Sequence, residues 1–490
     1  MEYERLGVLL VDFWGILVIV VLIVGVSTLF WTAVGLLRAT GELMRRKAGA
    51  GRRSASGPAL APTDVAILIA AHNEALVIRE TIASASALVP LENIHIISDM
   101  SSDETASIAR AAGVNVLELN PNRGKAGALA EGIRHFDLCE RFEVVLLLDA
   151  DTRPTPDYLS TGLPMFDDPG VVAVAGRAKS LIHPHSPSWL GRFVVAYRER
   201  LYIVVQMMLK YGMAAKHANV VTIVPGFASM YRTSALKHID VVGKGLVIED
   251  FNMTFEIHAR KLGRIAFHPG AAVAYTQDPD SLRDYYRQVR RWTLGFWQTV
   301  RRHKFRFNRF WVNLSVHIFE LVSCGIFLLV LLPVFAASLV SGYIVQATGD
   351  TASAAAWLAG LLPAEAVFLG VFVPDYLLSI FAAIVARRPA YLLFGLAFPL
   401  MRILDSAICL SQLPKAWLSK STGVWKSPSR RVQAAVEAAP VRLALEAAAP
   451  APALPVVAAA RPLALEPAAA EEPARAFAAA SHPAHRAVVD

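Results

Sequence analysis

The chain has 490 residues, 55% of them hydrophobic and 18% charged, with a mean hydropathy of +0.44. That is too apolar for an ordinary soluble protein and long enough for one large domain plus membrane helices. The net charge of +8 does not point to nucleic acid, because Lys and Arg cluster beside apolar runs, as in "LLRATGELMRRK" and "IVARRPAY", where anionic lipid is the natural partner. Cys139, Cys324 and Cys409 lie too far apart for a disulfide framework or a cysteine zinc site.

Residues 13–37, "FWGILVIVVLIVGVSTLFWTAVGLL", carry no charge and are long enough to cross a bilayer core of ~30 Å. The run lacks the basic start and cleavage site of a signal peptide, so residues 1–40 are expected to be an uncleaved amino-terminal transmembrane anchor. Arg38, Arg45, Arg46, Lys47, Arg52 and Arg53 follow, in a basic linker over 41–63 that places the next domain in the cytoplasm.

From about 64 to 300 the composition is that of an α/β domain. "DVAILIAA" (64–71), "IHIIS" (94–98), "GVNVLEL" (113–119) and "EVVLLLD" (143–149) read as strands, separated by helical stretches such as "EALVIRETIASASAL" and "GKAGALAEGIRHF". Such alternation predicts a mostly parallel, Rossmann-like sheet with ligands at the carboxyl ends of its strands. Asp99 and Asp103 fall in the loop after the second strand. Asp149 and Asp151 close the fourth in "LLLDADTRPTP", where two carboxylates either converge on one hard divalent cation or form a solvated turn. Between them, "NRGKAGALAEGI" offers Gly124, Gly127 and Lys125 at a helix start; this suits phosphate, or is a glycine-rich turn with a surface lysine, and it lacks the P-loop spacing.

Two later segments complete the pattern. "GLVIEDFNMTFEIHARKLG" places Glu249 and Asp250 at a helix start, as helix-capping acids or as a general base for a hydroxyl nucleophile. In "YYRQVRRWTLGF", Gln288, Arg291 and Trp292 share a helical face, whereas Arg287 and Arg290 are expected to turn toward lipid or solvent. "HPHS" (183–186) is read as a loop, and the apolar, basic stretch 189–212 as either a core helix or, preferably, an interfacial one.

Residues 301–431 are expected to hold interface helices, two transmembrane helices within 312–345 and 355–386, and a third stretch, 390–413, that lies in the membrane interface because it carries Arg402 and Asp405. This gives three crossings with the amino terminus out and the carboxyl terminus in. The Ala/Pro-rich residues 432–490 are expected to be a disordered tail.

The ordered set Asp99, "DAD" (149–151), "ED" (249–250) and "QVRRW" (288–292) resembles the D, DxD, [TE]D, QxxRW signature of processive family 2 glycosyltransferases, the cellulose, chitin and hyaluronan synthase group. "AHNE" (71–74), "VPGFASMYR" (224–232) and "LPKAWLSKSTGVWKSPSR" (413–430) are most similar to its bacterial poly-N-acetylglucosamine synthase branch. The resemblance implies a cytoplasmic GT-A catalytic domain with α-helical transmembrane segments in the plasma membrane. Its donor would be a UDP-sugar, UDP-N-acetylglucosamine or UDP-glucose, and its acceptor a growing β-linked polysaccharide coupled to export. It further implies Mg²⁺ or Mn²⁺ on Asp151 and Asp149, uridine on Glu74 and Asp99, diphosphate near Lys125, Gln288 and Arg291, Asp250 as base beside Glu249, Trp292 as acceptor platform, and a gating loop with Trp425 and Arg430. Partners would be the lipid bilayer, export or modification proteins or a second copy of the chain, and no nucleic acid. Here Ser98 and Met100 stand where many relatives have Asp and Gly. Two other readings stay open: single transfer onto a lipid-linked acceptor, and an inactive scaffold of an export complex.

Overall fold

The computed structural model describes residues 14–47, 59–361 and 364–418. Trp425, Arg430, the tail from 432 and residues 48–58 of the basic linker lie outside the described residues. The domain's centre is a seven-stranded sheet in the order β3-β2-β1-β4-β8-β6-β9. Its strands are β1 (Val65–Ala71), β2 (Ile94–Asp99), β3 (Asn115–Leu119), β4 (Val144–Asp149), β6 (Val171–Ala175), β8 (Ala228–Arg232) and β9 (Arg264–Ala266). β5 (Thr152–Pro154), β10 (Val273–Thr276) and β7 (Arg177–Ser180) form a small second sheet in the order β5-β10-β7.

The first four strands pair in parallel, and every residue of β1 and β2 is buried, as their continuous apolar runs require of a sheet covered on both faces. The crossovers are α3 (Ile78–Ser86), α4 (Thr105–Ala111) and α5 (Gly124–His135). α5 packs tightly because Gly132 has no side chain: a Cβ there would stand 2.7 Å from Ile97 Cδ1 and 2.8 Å from Leu68 Cδ1. The sheet is mostly parallel, as expected, and β8 makes it mixed. β8 runs antiparallel to both β4 and β6, and the Asp149 N–H donates to the Phe227 carbonyl at 2.9 Å, fixing the end of β4 beside the loop that enters β8. The result is a GT-A-like α/β fold with strand ends β1, β2 and β4 opening on one side.

A second body of helices packs on the domain. α6 (Trp189–Val204) continues through a π-helical turn, Val205–Lys210, into Tyr211–Met213. α7 (Asp250–Ala259) follows β8, and α8 (Leu282–His303) leads into α9 (Arg309–Thr348), α10 (Val373–Ala386) and α11 (Phe398–Leu418). Within it, Phe193 and Tyr197 of α6 and Tyr285 of α8 bury themselves with Ala383 of α10 and Phe398 and Met401 of α11.

Among the described residues, two helices are long and apolar enough to cross a membrane, Arg309–Thr348 and Phe368–Ala386. The amino-terminal run is not one straight helix: α1 (Trp14–Val24) and α2 (Val26–Lys47) meet at an angle of 71°, and they count as a third span only if taken together. Gly25 makes the break, with φ +85°, and both helix ends find partners there. The Ser27 N–H donates to Glu320 Oε1 at 2.8 Å, and Arg402 donates to the Ile23 carbonyl at 2.7 Å. Two charges on α11, Arg402 and Asp405, are paired inside the protein, whereas Lys415 near its end is exposed. Arg402 joins Arg200 on Asp375, and Asp405 accepts from Tyr197 and Tyr285 at 2.8 and 2.6 Å.

α6 is also a core helix and not an interfacial one, since Arg198, Glu199 and Arg200 are all buried. Each has a partner: Arg198 sits 3.6 Å from Asp278, Glu199 accepts from Tyr391, and Arg200 grips Asp375 with two nitrogens at 2.6 and 2.7 Å.

Candidate active site

The carboxyl ends of β1 and β4, the loop before β8, the start of α7 and the first half of α8 surround a cavity of about 990 Å³. Glu74, Lys125, Asp149, Asp151, Glu249, Asp250, Gln288, Arg291 and Trp292 all line it. Residues spread over more than two hundred positions of sequence are thus brought to one wall. Asp99 is the exception. It is fully buried at the end of β2 and does not line the cavity; its Oδ1 accepts the Arg123 N–H at 2.7 Å, so it fixes the turn entering α5. Burial pushes its carboxyl above the usual range. Next to it Met100 adopts φ +57°, the left-handed conformation that a glycine enters without strain.

Lys125, brought in by the first turn of α5, is the hinge of the charge arrangement. Its Nζ stands 2.6 Å from Asp149 Oδ1 and 2.8 Å from Glu249 Oε1. These two carboxylates overcome the cost of burial and hold the ammonium above the usual lysine range, so it stays charged. Burial pushes Glu249 up, but Lys125 outweighs it and holds that carboxyl low. Asp149 is raised, by burial first and with Asp151 adding to it, against the pull of Lys125.

Asp250 is different. Burial and then the neighbouring Glu249 carboxylate raise it to about 7, Lys125 opposing, while the Phe251 N–H donates to its Oδ1 at 2.7 Å. A carboxylate that titrates near neutrality is matched to accepting a proton from a hydroxyl. Gly226 makes room for this cluster: a Cβ there would lie 3.0 Å from Glu249 Oε1, 3.3 Å from Lys125 Nζ and 3.4 Å from Asp250 Cβ.

On α8, Ser281 caps the helix by accepting the Asp284 N–H at 3.1 Å. The buried Gln288 amide oxygen has no hydrogen-bond partner among the described residues, which leaves it for a ligand. Arg287 and Arg290 are exposed, as expected, and also stand at the rim of the same cavity. One face of the Trp292 ring is taken: the Arg198 guanidinium lies 4.4 Å from its centroid, and Arg198 is in turn held by Tyr202 at 2.8 Å and Asp278. Sequence reading missed Arg198 and Asp278; the available signal was three charges, Arg198-Glu199-Arg200, inside an otherwise apolar helix.

The acidic end of β4 suits a divalent cation. No group of three or more His, Cys, Asp or Glu is arranged around a metal position among the described residues, but Mg²⁺ and Mn²⁺ need only one or two carboxylates when substrate phosphates and water complete the shell. Asp149 and Asp151 supply that number on one cavity wall.

Residues 62–295 match the family described as "Glycosyltransferase like family 2". The chain is 24% identical over 386 residues to a poly-beta-1,6-N-acetyl-D-glucosamine synthase of Staphylococcus epidermidis, covering 75% of this chain and 87% of that one. A synthase of the same name from Staphylococcus aureus is 27% identical over 240 residues, 47% of this chain and 54% of its own. Among solved structures, a mannosyltransferase from Pyrobaculum calidifontis in complex with GDP-Man and Mn²⁺ aligns with TM-score 0.45 and 18% identity, over 80% of this chain and 98% of that one. Glucosyl-3-phosphoglycerate synthase from Mycobacterium tuberculosis, in complex with Mn²⁺, UDP and glucosyl-3-phosphoglycerate, aligns with TM-score 0.28 and 18% identity, over 47% of this chain and 72% of that one.

Proposed function

We propose, from the premise that residues 62–295 are a family 2 glycosyltransferase domain, that the protein is a membrane-bound inverting transferase extending a β-linked polysaccharide from a UDP-sugar. The observation that carries this reading is the meeting, around one cavity, of the Asp250 carboxyl, raised to about 7, the acidic end of β4 and the Gln288-Arg291-Trp292 face of α8. UDP-N-acetylglucosamine is the favoured donor, because the synthases to which the chain is similar are named for that sugar. UDP-glucose is the next candidate.

In this reading Asp250 removes the proton from the acceptor hydroxyl as its oxygen attacks the anomeric carbon. The bond from that carbon to the diphosphate breaks on the opposite face and UDP leaves with the electron pair. Lys125, Gln288 and Arg291 grip the diphosphate, and Glu74 lies toward the nucleoside. Asp151 and Asp149 would hold Mg²⁺ or Mn²⁺, which when bound neutralises charge developing on the leaving group. Trp292 offers the acceptor the ring face that Arg198 leaves open. Glu249 keeps Lys125 in place and raises Asp250, a supporting role rather than that of a second base. The catalytic domain, 64–300, lies on the cytoplasmic side of a multi-pass chain, as the basic residues after α1 and α2 favour.

The test is incubation of membranes containing the protein with a panel of labelled UDP-sugars, with and without Mn²⁺, followed by sizing of the product and digestion with linkage-specific hydrolases. A Mn²⁺-dependent, high-molecular-weight N-acetylglucosamine polymer supports the reading. A single labelled sugar extractable into organic solvent replaces it with transfer onto a lipid-linked acceptor, and no transfer from any UDP-sugar overturns it.

A further inference from the structure

A second cavity, of about 310 Å³, lies behind the first. Its far wall comes from the helical body, with His317 and Leu321 of α9 and Asp405 and Cys409 of α11. Five residues line both cavities: Val205, Lys210, Ile223, Phe251 and Trp292. The wall between the two spaces is therefore apolar and aromatic except for one amine.

That amine is unusual in its surroundings. Lys210 is only 6% exposed; among the described residues its Nζ makes no hydrogen bond or ion pair, and it stands 5.5 Å from the centroid of the Phe267 ring. It ends the π-helical turn Val205–Lys210, an irregularity that is frequent at functional sites. A buried cation without a counter-ion is costly unless a ligand supplies the missing oxygen. The other buried lysine of the site, Lys125, is already committed to two carboxylates.

We propose that Lys210 is an acceptor-positioning residue: its amine holds an oxygen of the acceptor's terminal sugar where that sugar crosses from the second cavity, over Trp292, toward Asp250. This rests on the transferase reading above. A protonated lysine offers three donors, which matches a sugar's hydroxyl and amide oxygens, and a charge-assisted bond formed away from water orients more firmly than one in solvent. Lys210 touches neither the diphosphate nor the reacting carbon in this arrangement. It acts by fixing the nucleophile.

Charged and titratable groups reach these cavities from every neighbouring element: Asp250 on α7, Arg291 on α8, His317 on α9, Asp405 on α11, Arg198 on α6, and the Lys125 cluster with its carboxylates. Among them, burial lowers the Lys210 amine to about 8 while Asp250 pulls it back up. The productive form has Asp250 ionised, above about 7, and Lys210 protonated, below about 8, so transfer is expected to peak between these values and fall on both sides.

The experiment compares the full-length wild type with Lys210→Met and Lys210→Arg in detergent, using UDP-N-acetylglucosamine and a β-linked N-acetylglucosamine trisaccharide as acceptor probe. Lys210→Met is expected to raise the acceptor KM by about tenfold or more, to keep UDP affinity within about twofold, and to lose the alkaline limb of the pH profile. Lys210→Arg, which keeps the cation, is expected to hold the acceptor KM within about threefold at neutral pH. An unchanged acceptor KM and pH profile in Lys210→Met overturns the proposal, as does an equal loss of acceptor and UDP binding. If the wild type itself transfers no sugar, it is the transferase reading that fails.

Discussion

The molecule buries charge in two places and balances it in opposite ways. Around the catalytic cavity, Lys125 is shared by Asp149 and Glu249 with Asp250 and Asp151 close by, so carboxylates outnumber the cation that holds them. Where α6, α10 and α11 meet, two arginines, Arg200 and Arg402, converge on a single carboxylate, Asp375. In the first arrangement burial and then the neighbouring Glu249 carboxylate raise Asp250 to about 7, which suits the role of base proposed for it. In the second, Arg200 also donates to Ser379 and Arg402 to the carbonyl of Ile23, which ties α6, α10, α11 and α1 together. The same residue types build chemistry where an ionic cluster opens on a cavity, and architecture where it is closed.

Mutations should separate the two. The largest effect on folding is expected from Asp375→Asn, which leaves two arginines without their counter-ion and destabilises by about 3–5 kcal/mol. Thermal unfolding in detergent would show the loss, while the protein that remains folded keeps near-normal UDP affinity. Lys125→Met acts at the other cluster. Lys125 pulls the Asp250 carboxyl down, so without it the base titrates higher, and the acidic limb of the pH–rate profile moves above about 7 along with a fall in rate. An unmoved limb would show that Lys125 does not set the base. Gly226→Ala is smaller in effect: the added methyl meets Glu249 at 3.0 Å and Lys125 at 3.3 Å, and overpacking of this kind costs about 1–3 kcal/mol. Its signature is weakened UDP binding with only a modest drop in melting temperature.

The two regions also differ in how far they could be read from sequence. β1, β2 and β4 were legible to within a residue, because strands buried on both faces are written as unbroken apolar runs that end in acids at the functional edge. The sharing of a face by Gln288, Arg291 and Trp292 followed from helical periodicity alone. Periodicity also set Arg287 and Arg290 apart as exposed residues, but not their place at the rim of a cavity wide enough to reach more than one face of α8. Asp99 was placed at the right strand end but spends its carboxylate on the turn into α5, a local hydrogen bond that spacing does not encode. β8 went unread as a strand, and its antiparallel direction depends on the return of the chain after α6. The break at Gly25 was invisible because hydropathy registers the absence of charge, not a backbone φ of +85°. The ion pairs of α6 were hidden for a related reason: Arg198 and Arg200 are partnered by Asp278 and Asp375, far away in sequence, and only packing reveals that their charges are buried.

The central claim is that Asp250 is the base, and the most direct test is a paired measurement on Asp250→Asn: sugar transfer and UDP binding in the same preparation. The amide keeps the size of the side chain and cannot take the acceptor proton, so transfer is expected to fall by about 10²–10⁴-fold with UDP affinity within about twofold of wild type. Transfer at the wild-type rate would contradict the account.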